Sequence, residues 1–396
     1  MKNKLITVLA ILGLVSLIQS CGNVEDKKTS TQTASPVSET SEISSKPESV
    51  APQIQYDQTK AKRLTDTAKL LAGMKVDDSS ELAKIQTMDI WQNHRNTLEK
   101  SWSQLDKQQL SKVREWSNQE LQAINGHSPT IFYPFSGPDF LYAYSLFPQG
   151  KEYVMIGLEP VGTVPDISDV NTGQLNQKLT EARNSLYALL QFSFFRTNDM
   201  KVDLAKQGVL PVIFLFMART NNQILNVEFV GIDKQANIQK MADGMIPGVK
   251  IDFLPDGETT PKTLYYFSTD LSNDGLKKNP QLTEFVKKIN TPVTYLKAAS
   301  YLMYYDSFST IKNVILAQSQ HILQDDSGMP LKSFDKQQWG LKFYGNYTQP
   351  IALFKNRYQP DLRQIYQSDK SIKPLNFGIG YKFGVNESNL MLADRQ

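Results

Sequence analysis

Three short stretches hold the side chains that could do chemistry. The first is QDDSG, Gln324 to Gly328, with His321 shortly upstream and Pro330 just after. Adjacent carboxylates beside a hydroxyl offer the oxygen donors that calcium takes. One of the two, its pKa raised by the other, could also serve as an acid or base. The same Asp, Ser and Gly are what a tight turn between two elements requires. The other stretches are YPFSGPDF, Tyr133 to Phe140, and GLEPVG, Gly157 to Gly162. They set Ser136, Asp139 and Glu159 among aromatic and glycine residues at expected strand ends, where loops often carry sites.

Two reaction types follow from these residues. Asp139 or Glu159 paired with Asp325 or Asp326 would suit acid–base hydrolysis of a glycosidic bond, which needs two carboxyl groups flanking it. A Ser–His–Asp arrangement would draw on Ser136 or Ser327 with His321, although neither serine sits in a recognised nucleophile turn. The stronger catalytic signatures do not occur: there is no G-x-S-x-G elbow, no H-E-x-x-H, no phosphate-binding loop and no strand-linked G-x-G-x-x-G. The chain has 3 histidines, His94, His127 and His321, too few for a multi-histidine metal site. No cofactor and no metal are expected. A net charge of +3 with no run of Lys and Arg argues against a nucleic-acid partner.

The chain's single cysteine, Cys21, lies just past an apolar run. Lys2 and Lys4 precede Leu5 to Ile18, and the small Ser20 follows, the layout of a secretory signal peptide. The run is shorter than the ~20 residues that a membrane-spanning helix needs. LIQSC, Leu17 to Cys21, resembles the lipobox of bacterial lipoproteins, with Gln19 the less usual choice. The resemblance implies cleavage before Cys21 and lipid attachment to its sulfur, and it covers only about the first 23 residues. It also implies outer-membrane sorting in a cell with two membranes, because Gly22 is not the Asp of an inner-membrane retention signal. Two or more fatty chains give stable anchoring where one does not. With no second cysteine the mature chain has no disulfide.

From Gly22 to Pro52 the sequence is rich in Ser, Thr, Pro and Glu with hardly a large apolar residue. Such a stretch buries too little to offset its conformational entropy and should act as a disordered tether, roughly 30 Å across as a coil. The expected organisation is a signal peptide at 1–20, a lipidated cysteine and tether at 21–52, a helical segment at 53–126 and an α+β domain at 127–396. The helical segment either packs on that domain or forms part of it.

The elements that must position the candidates are read from periodicity. A helix should start at the capping Asp57 and stop at Gly73. Trp91, Trp102 and Trp116 fall on one face of a long helix together with Met88, Leu98, Leu105 and Val113. That stripe could be an aromatic platform for a sugar or peptide, but core packing is the commoner use of such a face. TIFYPFSGPDFLYAYSLFP and EYVMIGLEPVG read as two or three strands, and Gly173 to Phe195 as a helix with Leu175, Leu179, Ala182, Leu186 and Leu189 on one face. VLPVIFLFMA, Val209 to Ala218, reads as a buried strand. A hairpin is expected within VKIDFLPDGETTPKTLYYFSTDL, helices between Pro280 and Gln318, strands at WGLKFYGNY and NFGIGYKFG, and a helix near Asp361 to Gln367.

Strands that come as neighbours favour an α+β fold with a largely antiparallel sheet and several helices. The function expected is that of a lipid-anchored cell-envelope protein held to the membrane at Cys21, whose body binds a ligand or an envelope partner. The alternative is a membrane-tethered hydrolase acting on a sugar or cell-wall polymer through the loop carboxylates.

Overall fold

The Asp57 carboxylate accepts the N–H groups of Thr59 and Lys60 and so starts a helix at Gln58 that runs to Leu71. It stops at Gly73, whose φ of +66° is left-handed backbone that glycine adopts without strain. The structure, a computed structural model, describes residues 55–192, 208–290, 292–382 and 384–396, with no side chains from 185 to 192. The expected signal peptide, Cys21 and the expected tether lie outside the described residues. So do the side chains of Leu186 and Leu189 and the expected helix end at Phe195. Ile54–Gln396 form one compact unit.

The tryptophan stripe is core. Helix Asp89–Leu105 passes through a wide π turn, Asp106–Leu110, into helix Ser111–Glu120. Trp91, Leu98, Trp102, Leu105, Val113 and Trp116 are all buried along it, and Met88 sits half-buried just before it.

Among the described residues the architecture is α+β, built on a 10-stranded mixed sheet in the order β4-β3-β5-β6-β2-β1-β7-β8-β10-β9, numbered along the chain. The strands are β1 Thr130–Pro134, β2 Glu152–Gly157, β3 Asn222–Ile232, β4 Ile238–Lys240, β5 Ile246–Pro255, β6 Lys262–Ser268, β7 Val293–Leu296, β8 His321–Gln324, β9 Trp339–Gly345 and β10 Asn389–Arg395. The wings are antiparallel: β4, β3, β5 and β6 on one side, β8, β10 and β9 on the other. The centre, β6-β2-β1-β7-β8, is parallel. Parallel strands are buried on both faces and read as short unbroken apolar runs, which is how VTYL and HIL escape notice in the sequence. Along β1 the side chains alternate: Ile131 and Tyr133 join the core that holds Trp102 and Trp116. Phe132 faces the opposite core, with Leu282, Phe285 and Ile311.

Three segments differ from expectation. FLYAYSL is a helix, Phe140–Leu146, capped by Asp139, whose carboxylate accepts the Tyr142 N–H. VLPVIFLFMA is the helix Leu210–Arg219, with Pro211 in the first turn where its missing N–H is not needed. Both helices are apolar on nearly every side because they sit inside the core, so no polar face marks their period. NFGIGYKFG forms an isolated bridge between Ile379 and Lys382 rather than a strand. The helix at Pro360–Ser368 falls close to its expected position.

Candidate functional site

Five parallel strands aligned one way put their carboxyl ends along one edge of the sheet. The loops after β1, β2, β7 and β8 therefore meet there, and they carry Ser136 and Asp139, Glu159, Lys297, and Asp325 to Ser327. The chain goes from β1 to β2 on one side and later returns to place β7 on the other side of β1. A crevice at such a reversal of strand order is where open α/β sheets bind ligands.

In this molecule a buried ion pair closes that crevice. The Lys297 ammonium donates to Asp139 Oδ2, and each side chain is 2% exposed. Asp139 also accepts the Tyr133 hydroxyl at 3.0 Å and the Tyr142 N–H at 3.3 Å. The ammonium lies 3.9 Å from the centre of the Tyr142 ring. Burial raises the Asp139 pKa, and Lys297 opposes that rise. Phe135, just past β1, and Ala298, just past Lys297, both have left-handed backbone, with φ of +61° and +54°. Such strain in non-glycine residues concentrates at ligand clamps and active sites.

The DDSG loop is both a stitched turn and a member of this cluster. Asp325 Oδ1 accepts the Ser327 N–H at 2.9 Å and also the Ser327 hydroxyl. The Gln324 side chain clasps both backbone groups of Met329 at 2.9 Å. Asp325 is fully buried; desolvation first, then the charge of Asp326, pushes its pKa up to about 7, while Ser327 and Lys297 pull the other way. Asp326 accepts the Tyr301 hydroxyl and the Asn389 amide, each at 3.1 Å, and pairs with Lys382 at 3.4 Å.

Three segments cover the cluster: Ala298–Tyr304, Ala352–Arg357 and the residues 378–382. They interlock through aromatic rings. Tyr301 stacks on Phe354 with centroids 4.0 Å apart, and Tyr381 lies 5.6 Å from Tyr301. The Arg357 guanidinium is 4.3 Å from the Tyr305 ring and donates to the Tyr301 carbonyl. Gly380 has room for no side chain, since a Cβ there would stand 1.8 Å from Asp325 Oδ2. The side-chain amide of Gln109, from the π turn, exchanges hydrogen bonds of 3.1 and 3.0 Å with the Gly378 backbone. The hollow against Asp325, Asp326 and Asn389 measures about 10 Å³, the room of a single water.

The remaining candidates stand as follows. Ser136 is buried and donates its hydroxyl to the Ile156 carbonyl at 3.1 Å. Glu159 is half-exposed, its carbonyl accepting the Tyr266 hydroxyl at 2.8 Å, and its carboxylate lies beside Gly137 rather than with Asp325. His321 opens β8 and bonds Asp394 at 2.8 Å, at the amino end of the strand whose carboxyl end carries Ser327. A Ser–His–Asp set built on His321 is therefore not assembled, because one strand length separates the histidine from either serine. Among the described residues no group of three or more His, Cys, Asp or Glu could hold a metal ion. Lys297, Lys382, Tyr301 and Arg357 were not visible as site residues in the sequence. The one local hint is a lysine at the end of the apolar run VTYL.

No family model matches the chain, and no curated protein or solved structure matches it.

Proposed function

We propose that the protein is a lipid-anchored cell-envelope protein whose body binds a small polar ligand in the crevice between the carboxyl ends of β1 and β7. The supporting observation is the cluster itself. Asp139, Lys297, Asp325, Asp326 and Lys382 gather under a cover at the edge where parallel sheets place ligands. Buried charge is a poor source of stability, since desolvation offsets most of the Coulombic gain. A polar ligand entering as the cover lifts would exchange these internal partners for its own. Among the described residues no helix is long and apolar enough to cross a membrane. The proposed anchor is the lipid on Cys21, which the lipobox-like LIQSC supports.

The hydrolase reading keeps one specific support, the Asp325 carboxyl with a pKa near neutrality, suited to general acid or base work. Against it, Asp139 is engaged with Lys297 and Tyr133, and Glu159 lies apart.

The test is thermal unfolding of the full chain against amino acids, short peptides, oligosaccharides and cell-wall fragments. A ligand that binds only the folded state raises the midpoint by mass action. The expected result is a shift lost in Asp326→Asn, without turnover of the ligand. Turnover abolished by Asp325→Asn would move the assignment to hydrolase. No shift from the whole panel would count against the crevice as a binding site.

A further inference from the structure

A second place in the molecule carries a buried charged group with bonding capacity left over. Helix Leu210–Arg219 ends on Arg219, whose side chain is 6% exposed. Its Nε donates to the Ala72 carbonyl at 2.8 Å, and its Nη1 donates to Glu99 at 2.8 Å. Its Nη2 is buried and has no hydrogen-bond partner among the described residues. The guanidinium carbon lies 5.4 Å from the Trp102 ring centre, which holds its plane in place. A buried guanidinium N–H without an acceptor is costly, and in native structures such a group calls for an explanation.

Arg219 lines a hollow of about 470 Å³, together with Met74, Trp102, Arg114, Tyr144 and Pro148, and one carboxylate, Asp106, lines it too. That volume is in the range of small-molecule sites, and the lining combines apolar walls with a few convergent polar groups. Arg114 reaches the same hollow from helix Ser111–Glu120 and is tied to Asp106 at 2.7 Å. Glu99 is 58% exposed and takes only Nη1 of Arg219, leaving the second fork nitrogen unused. A guanidinium presents parallel N–H groups that match carboxylate or phosphate oxygens.

We propose that this hollow is a binding site for a small organic anion, a carboxylate or phosphate carried on an apolar or ring-shaped body. The anionic head pairs with the Arg219 guanidinium in place of the exposed Glu99 carboxylate, Arg114 closes over it, and Trp102, Tyr144 and Met74 pack the body. The site lies beside the amino-terminal end of β2, since Pro148 precedes that strand, so it is separate from the crevice under Lys297.

The test is calorimetric titration of the full chain in non-ionic detergent with benzoate, phenyl phosphate and inorganic phosphate. Binding of benzoate or phenyl phosphate is expected, and whichever binds tighter identifies the head group. Inorganic phosphate, lacking the apolar body, should bind at least ~10-fold more weakly, which is 1.4 kcal/mol. Arg219→Gln should abolish binding, and Arg219→Lys should not restore it, because a lysine cannot supply the fork. Arg114→Glu, at an exposed position, should leave the fold intact, which its thermal midpoint checks, and should weaken binding at least ~10-fold. The proposal is overturned if none of the three probes binds at 10 mM, or if Arg114→Glu and Arg219→Lys both bind as tightly as the parent.

Discussion

The Lys297 ammonium and the Asp139 carboxylate meet across the seam between β7 and β1, where the strand order reverses, and both are buried. Their sequence positions are 158 apart, so only the parallel pairing of β1 with β7 brings them together. The pair joins the end of one strand to the cap of the helix Phe140–Leu146.

Removing one partner of this pair leaves the other charge uncompensated in the interior. Lys297→Met is expected to cost about 3–5 kcal/mol, as is typical for breaking a buried ion pair. The double variant Lys297→Met with Asp139→Leu should recover much of that loss. Urea unfolding of the singles and the double measures it. A single-variant loss below ~1 kcal/mol would mean that the pair is not buried as described.

Asp325 makes stability depend on pH. Its folded pKa, about 7, lies above the unfolded carboxyl value near 3.9, so the folded state holds the proton more tightly. The stability it contributes is complete below pH ~4 and is lost as pH rises to about 7. Asp325→Asn should remove this decline, so the variant gains on the parent between pH 5 and 8 in thermal unfolding. A constant gap across that range would place Asp325 in a solvated setting.

His94 acts in the opposite direction. Its Nε2 bonds the Leu71 carbonyl at 2.9 Å while Nδ1 is buried without a partner among the described residues, and burial lowers its pKa to about 4. A folded pKa below the unfolded ~6.5 means that the unfolded state takes up the proton first. The contribution is present above pH ~6.5 and is lost as pH falls towards 4, on the order of 3 kcal/mol. His94→Gln keeps a donor for Leu71 and should flatten that acid limb. An unchanged limb in the variant would assign acid sensitivity to other groups.

Gly380 holds the cover against Asp325 with a φ of +61° and no space for a Cβ. Gly380→Ala must shift the backbone and should destabilise by more than ~1 kcal/mol. Faster amide exchange at 378–382, with little change in β3 and β5, is the expected signature. Unchanged exchange would show that the segment absorbs the side chain.

The proposed membrane anchor has its own test. Metabolic labelling with an alkyne fatty acid should tag the parent and leave Cys21→Ala untagged and released from membranes. Equal labelling of both would remove Cys21 as the anchor.

What the sequence discloses follows from the range over which each signal acts. Asp57 and Gly73 mark the first helix because a cap and a left-handed stop operate within one turn. The tryptophan stripe is readable because its opposite face is polar. Val209 to Ala218 misleads because Leu210–Arg219 is buried nearly all round, and without a polar face the helical period vanishes. The carboxylates of the crevice stand out locally, in PDF and DDSG, as caps and turns do. Their partners do not: Lys297 and Lys382 acquire meaning only through the order of strands in the sheet and the return of the chain over its edge.

The most direct measurement is hydrogen exchange of the ligand-free full chain, read segment by segment. If the crevice is a binding site under a cover, residues 298–304, 352–357 and 378–382 should open well below the free energy of global unfolding, while β1 and β7 exchange only with it. Exchange of those three segments at the same slow rate as β1 and β7 would contradict it. The charged cluster would then be a permanent part of the core.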